Sequence, residues 1–290
     1  LCAAACLALA TAAAGRASAQ EIEPNEFVPA PDGTNLAIGY YIYGDNTSYN
    51  VKKGPTISDS GVQVNVGILR LVHYDYVAGM PAGVQVLEAF GNESAAHIGS
   101  EGLGSATGAS NLNLSAFIWP YANTEDKQYL VIAGFIYPPV GTYNKYQAVN
   151  LATAFTPSYN WTGDVQVGWD MGIGDHFSYD LSFDYRDFGD NTSPAGLQTR
   201  TPDYRLQAWA NWNWTRAFQT SIGWESFLGG ISKTNGIRDG GSTESERIRG
   251  AASLFVAPNA QVLLELNHEF VAVGGFKQTF GATGRFVFIF

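Results

Sequence analysis

The sequence predicts an all-β membrane protein, an up-and-down antiparallel transmembrane β-barrel of about twelve strands. Three observations carry that prediction. The closing stretch alternates, with Phe280, Ala282, Gly284, Phe286, Phe288 and Phe290 on one face and Thr279, Gly281, Thr283, Arg285, Val287 and Ile289 on the other. Strand-like segments follow one another along the chain, joined in turn by short links and long polar ones. An export signal stands at the front. An aromatic terminal strand left open to water would template aggregation; paired to the first strand, with its apolar face in lipid, it leaves no free edge.

Residues 1–14 are almost all Ala, Leu and Cys, and Ala17-Ser18-Ala19 precedes Gln20. This is the pattern of a signal peptide over 1–19, cut after Ala19. With no initiator Met and no basic leader, that signal is expected to be truncated at its start. The apolar run is too short to span a bilayer, which takes ~20 residues. A lipidated Cys6 would need an apolar stretch upstream and a Leu where Ala3 stands. Both cysteines, Cys2 and Cys6, fall inside the signal, so the mature chain is expected to carry no disulfide and no thiolate metal site.

Residues 20–34 hold Pro24, Pro29 and Pro31 and read as an irregular periplasmic leader; 35–290 read as the barrel. Leu36, Ile38, Tyr40 and Ile42 share one face of the first strand. In the second, Val62, Val64, Val66 and Ile68 share a face before Leu69 and Leu71 shift phase, which predicts a bulge near Ile68. Segments 83–90, 111–119, 128–137 and 164–173 follow. The second half alternates more regularly: Phe177 to Tyr185 against Ser178 to Arg186, Tyr204 to Trp214 against Arg205 to Asn213, then 218–225, 247–254, 262–267 and 276–290. Short links at 78–81, 122–127, 174–175, 215–217 and 257–259 would be periplasmic turns; the long links 44–60, 91–110, 138–163, 189–203 and 229–243 would be outer loops, with 271–275 a short exception. Tyr41, Tyr43, Trp119, Tyr137, Trp212 and Trp214 suit interfacial girdles. Gly44-Asp45-Asn46-Thr47-Ser48 recurs at Gly189 to Ser193, each copy expected to end a strand with shared turn chemistry.

The composition fits. Of 290 residues, 14% are charged, 13% aromatic and 33 are Gly, and the net charge of −10 argues against a nucleic-acid partner. No apolar run outside the signal is long enough for a membrane helix.

The segments Asn35 to Tyr41, Gly67 to Tyr74, Met80 to Val86, Pro138 to Tyr143 and Tyr185 to Asn191 resemble the MetA-pathway of phenol degradation family. That resemblance covers most of the mature chain and implies an outer-membrane barrel passing aromatic compounds. It brings no catalytic residue with it.

No chemistry of an enzyme emerges from the residues. His73, His97, His176 and His268 have no metal-ligand spacing, and no His directly precedes a Ser, as in the signature of outer-membrane phospholipases. Neither metal nor other cofactor is expected. Charge facing lipid at mid-depth costs ~2–4 kcal/mol for Arg or Lys, so charged positions are assigned to the lumen. These are Arg70, Asp170, Asp180, Asp184, Arg186, Arg205, Glu225, Arg247, Arg249, Glu265 and Arg285, joined by Gln63, Asn65, Gln166, Gln207, Asn211, Gln219, Gln261 and Asn267. Mixed signs argue against strict anion selectivity. On this register only Trp209, Phe227 and Phe255 are aromatic and inward.

The expectation is a monomeric or weakly oligomeric bacterial outer-membrane channel, not an enzyme. It would passively admit small solutes, aromatic ones on the strength of the resemblance. Its partners would be outer-membrane lipid, the solute, and the barrel-assembly machinery through the strand ending at Phe290. The alternatives are a structural or adhesive barrel with a plugged lumen and an outer-membrane lipid hydrolase.

Overall fold

The computed structural model describes residues 21–144, 160–193, 196–238 and 242–290. The expected signal peptide, 1–19, and most of the outer link 138–163 lie outside them. Twelve strands form the wall: β1 (Asn35–Asn50), β2 (Ser60–Val77), β3 (Met80–Ile98), β4 (Asn113–Asn123), β5 (Gln128–Tyr137), β6 (Thr162–Ile173), β7 (Phe177–Phe188), β8 (Asp203–Asn213), β9 (Phe218–Leu228), β10 (Glu244–Ala257), β11 (Ala260–Val273) and β12 (Gly275–Ile289). Each pairs antiparallel with its neighbours in chain order. β12 closes on β1 from Leu36 opposite Ile289 to Asn50 opposite Gly275. Asn35 and Phe290 extend the seam by exchanging two backbone hydrogen bonds of 2.9 Å. The twelve-stranded wall itself has no edge strand, as a barrel in hydrocarbon requires.

The two faces of the wall are inverted relative to a water-soluble sandwich. Leu69, Leu71, Ile132, Val167, Phe183, Ile222, Leu264 and Phe286 are exposed, whereas Asp180, Glu225, Arg249 and Glu265 are buried. Water outside such a wall would be excluded by none of these side chains, and hydrocarbon outside it satisfies all of them. The tight connections lie at the end that carries Asn35 and Phe290, the periplasmic end. Between β2 and β3, Ala78 and Gly79 both take positive φ (53° and 81°), the conformation that lets two residues close a twisted hairpin.

β4 to β9 are 10–12 residues long, while β1, β2 and β3 have 16, 18 and 19. The excess lies at the outer end, where the strand Glu101–Ala109 folds back onto β3. There Tyr49, Val62, Val64, Val66, Ile68 and Phe276 form a dry cluster on the inner side. This corrects the second strand. Its alternation runs without a shift from Val62 to Tyr74, with no bulge at Ile68, and Gln63 and Asn65 point outward. Beyond the level of Tyr41, Tyr43 and Phe280 the outside is wet and the inside dry, so polarity swaps faces while the register continues. The first copy of the repeated pentapeptide likewise lies within β1; only the second follows a strand end, at Phe188. The outer links after β7 and β9 pair into a separate small sheet, Asn191–Ser193, Gly196–Arg200, Ser232–Thr234 and Ile237–Arg238.

Candidate functional site

The lumen is divided lengthwise. On β6 to β11 the inward positions are mainly polar. Asp164, Gln166 and Asp170 stand on β6, Ser178 to Arg186 on β7, Arg205, Gln207 and Asn211 on β8, Glu225 on β9, Arg247 and Arg249 on β10, and Glu265 and Asn267 on β11. On β1 to β5 they are mainly apolar and aromatic, with Ile38, Val72, Tyr74, Trp119, Tyr129 and Val131 sharing one buried cluster. The sequence reading of three inward aromatics was therefore too low. Trp119 and Tyr137, expected in a girdle, are 2% and 1% exposed and point inside, whereas Tyr41, Trp212 and Trp214 face outward. Strands apolar on both faces carry no alternation by which to tell inside from outside.

Arg70, Asp180, Asp184, Arg186, Arg205, Glu225, Arg247, Arg249, Glu265 and Arg285 all stand on inward positions. Of the expected polar companions, Gln166, Gln207, Asn211, Gln219, Gln261 and Asn267 join them; Gln63 and Asn65 do not. The charges pair along the wall, not across the lumen. Arg249 meets Glu265 in a two-pronged contact of 2.9 and 2.7 Å, Arg247 meets Glu225 at 2.8 Å, and Arg186 meets Asp164 at 3.1 Å. Each pair spans adjacent strands, where an inward residue faces its register partner or a diagonal neighbour. The Arg249 guanidinium also lies over the Trp209 ring, 4.6 Å from its centroid.

The middle of the lumen is filled by the chain's own front segment. The irregular leader is thus not periplasmic over its whole length: Ile22, Glu23 and Phe27 are 2%, 4% and 3% exposed inside the barrel. The Ile22 N–H donates to Gln207 Oε1 at 3.1 Å, and the Ile22 carbonyl accepts from Trp209 Nε1 at 2.9 Å and Arg249 Nη1 at 3.1 Å. The Asn25 N–H donates to Asp180 at 2.9 Å, and its side-chain oxygen accepts from Ser178 and Asn211. Trp119 Nε1 donates to the Phe27 carbonyl at 2.7 Å. The Phe27 ring occupies the space over Gly168, where an added Cβ would stand 2.4 Å from it. Two glutamates bind arginines: Glu21 to Arg247 at 3.1 Å and Arg249 at 3.8 Å, Glu26 to Arg70 at 2.6 Å and Arg285 at 3.7 Å. The segment then descends to the periplasmic end, where Gly33 and Thr34 pair with Tyr74 of β2. A backbone without secondary structure survives here because wall side chains satisfy its polar groups.

The sequence contained a signal for this plug. Ile22, Phe27 and Val28 are large apolar residues in a mainly polar, Pro-rich leader, and Glu21, Glu23 and Glu26 complement the inward arginines. Below the plug, a cavity of about 510 Å³ reaches from Glu26, Arg70, Arg285 and Tyr74 to the periplasmic turn residues Asp175 and Arg216. The histidines lie outside this region; His73 bonds Asn35, and His176 stacks on Trp212 at 5.8 Å.

The fold is similar to that of the COG4313 outer membrane channel from Pseudomonas putida F1, with TM-score 0.86 and 24% identity over 93% of this chain and 100% of that one. It is more distantly similar to the β domain of the Bordetella autotransporter BrkA, with TM-score 0.51 and 10% identity over 90% of this chain and 100% of that one. No curated protein matches the chain. A closed barrel with an apolar exterior and outer-membrane neighbours of this kind is a bacterial outer-membrane protein. The family model for the MetA-pathway of phenol degradation matches residues 34–286, from the last leader residue to the closing strand, and the chain belongs to that family.

Proposed function

We propose that this barrel is a channel that passively admits small solutes, aromatic ones among them, past a leader that must shift to open the path. The observation that carries the reading is the nature of the plug. It is a short strap without secondary structure, held by hydrogen bonds that are each worth ~0.5–1.5 kcal/mol net and by the ion pairs of Glu21 and Glu26, against a wall in which Arg186, Arg247 and Arg249 keep carboxylate partners of their own while Arg70 and Arg285 pair only with the strap. A solute that supplies equivalent contacts can displace it. The inward aromatics Tyr74, Phe117 and Trp119, with centroids 5.3–6.0 Å apart, offer a surface for flat apolar rings, and the family's description points to the same class. The proposed solute pathway runs along Asp180, Asp184, Arg186, Arg205, Glu225, Arg247, Arg249 and Glu265 to Arg70 and Arg285.

A closed structural barrel is the second reading, favoured by the buried strap itself. Liposome swelling decides between them. Vesicles carrying the full mature chain, and others carrying a variant lacking 21–30, are challenged with phenol, sugars and organic acids. Flux of small solutes that increases on deletion supports the channel. Absence of flux in both preparations, with the barrel folded, refutes it. Outward Phe286 and Phe288 on β12, with Phe290 just beyond its end, are the proposed contact with the barrel-assembly machinery.

A further inference from the structure

Resting on the channel reading, we propose that Arg70 and Arg285 form a carboxylate-binding clamp for arenecarboxylate solutes, and that Glu26 of the leader occupies it as a built-in stand-in for the solute. The other paired arginines of the inner wall have a wall carboxylate: Arg186 has Asp164, Arg247 has Glu225, and Arg249 has Glu265. Arg70 and Arg285 differ. Among the described residues, the only carboxylate within ion-pair distance of either is Glu26, at 2.6 and 3.7 Å. Their wall contacts are neutral and orient them. Gln85 accepts from Arg70 Nε at 2.7 Å, the Tyr40 hydroxyl lies 3.3 Å from Arg70 Nη1, and Gln261 accepts from Arg285 Nη2 at 2.8 Å. Arg285 is 9% exposed, and its Nε–H has no partner among the described residues. One donor of the clamp thus remains unused when Glu26 is in place.

The setting fixes the class of ligand. Two guanidinium groups buried without an anion are costly, so Glu26 leaves readily only if another carboxylate takes its place. A neutral phenol cannot make that exchange; a carboxylate can, through the same charge-assisted hydrogen bonds. The cavity of about 510 Å³ adjoins both arginines, and Leu36, Ile38, Tyr74, Val287 and Ile289 line its apolar side. A planar ring bearing one carboxylate matches a paired cation set beside apolar and aromatic walls. Departure of Glu26 would also release the lower end of the strap, coupling binding to opening.

The test is equilibrium binding to the full mature chain, folded in detergent, with benzoate as probe and benzyl alcohol as its neutral counterpart. Glu26→Gln removes the competing charge and is expected to tighten benzoate binding by about tenfold or more, leaving benzyl alcohol unaffected. Arg285→Gln in that background is expected to reverse the gain. A second measurement covers a variant that fails to fold. A chain lacking 21–30 should bind a synthetic peptide of 21–30, benzoate should displace it, and the same peptide with Glu26→Gln should bind less tightly. If benzoate binds no better than benzyl alcohol to E26Q, or fails to displace the peptide, the clamp is wrong. Swelling with neutral solutes then reports independently on the channel: flux without benzoate preference overturns the clamp alone, and no flux in any preparation overturns the channel.

Discussion

Arg249→Met probes the wall and the strap together. Arg249 and Glu265 have side chains only 1% exposed, and the guanidinium makes both prongs of their contact. Removing it leaves Glu265 buried without a cation, a loss of about 3–5 kcal/mol in such sites. The Trp209 contact and the bond to the Ile22 carbonyl go with it, while water entering the lumen gives some compensation. A net loss of about 4 kcal/mol, at roughly 2–4 °C per kcal/mol for a chain of this size, lowers the melting midpoint by about 10 °C. The assay is the temperature at which the folded, fast-migrating band converts to the unfolded one on a gel. The double variant R249M/E265L removes the orphaned charge along with its cation and should recover most of the loss, because an apolar pair of similar volume replaces a buried ion pair at little cost. A double variant no more stable than the single one would show that Glu265 is not left stranded, and would refute the argument. So would a single variant that melts within about 2 °C of the parent.

Other substitutions test the remaining contacts. Gly168→Leu places a side chain where the Phe27 ring lies, and should raise small-solute flux in liposomes by expelling the strap, with a fall in the melting midpoint because Arg70 and Arg285 lose Glu26. Trp119→Phe removes the donor to the Phe27 carbonyl and should weaken strap retention by ~1 kcal/mol, read as faster proteolysis within 21–30. Val66→Asp places an unpaired charge in the outer dry cluster and should cost several kcal/mol, whereas Gln63→Leu, on the wet side of the same strand, should be nearly neutral; equal effects would overturn the register of β2. Phe290→Ala should slow folding into vesicles more than it lowers the melting midpoint, because it removes an exposed ring while the backbone pair with Asn35 that completes the seam is kept.

The barrel was legible because lipid and lumen impose opposite demands on alternate residues; along the middle of β6 to β11 the charged side chains face inward, and the outward ones, Asp187, Glu244 and Glu246, stand only at the outer ends of β7 and β10. Arg247 and Arg249 against Ile248 leave only one orientation. The first strands were less legible for a physical reason. Val62 to Ile68 face a dry interior above the membrane, and Tyr129 to Tyr137 put apolar residues on both sides of β5, so polarity there marks the surroundings and not the direction of the side chain. The inward arginines could be placed from sequence, but their partners could not. Glu265 for Arg249 follows from strand register. Glu26 for Arg70 depends on a segment 44 residues earlier in the chain and on its path through the lumen, which no local pattern encodes.

The lengthwise division of the lumen has a consequence for the shape of whatever crosses it. An oily flank and a wet flank run side by side from one mouth toward the other, so a molecule with one greasy edge and one hydrated edge fits best when turned broadside. In the proposed channel breadth, not length, would decide passage, and a slender compound hydrated at both edges would find one of them always against the wrong wall.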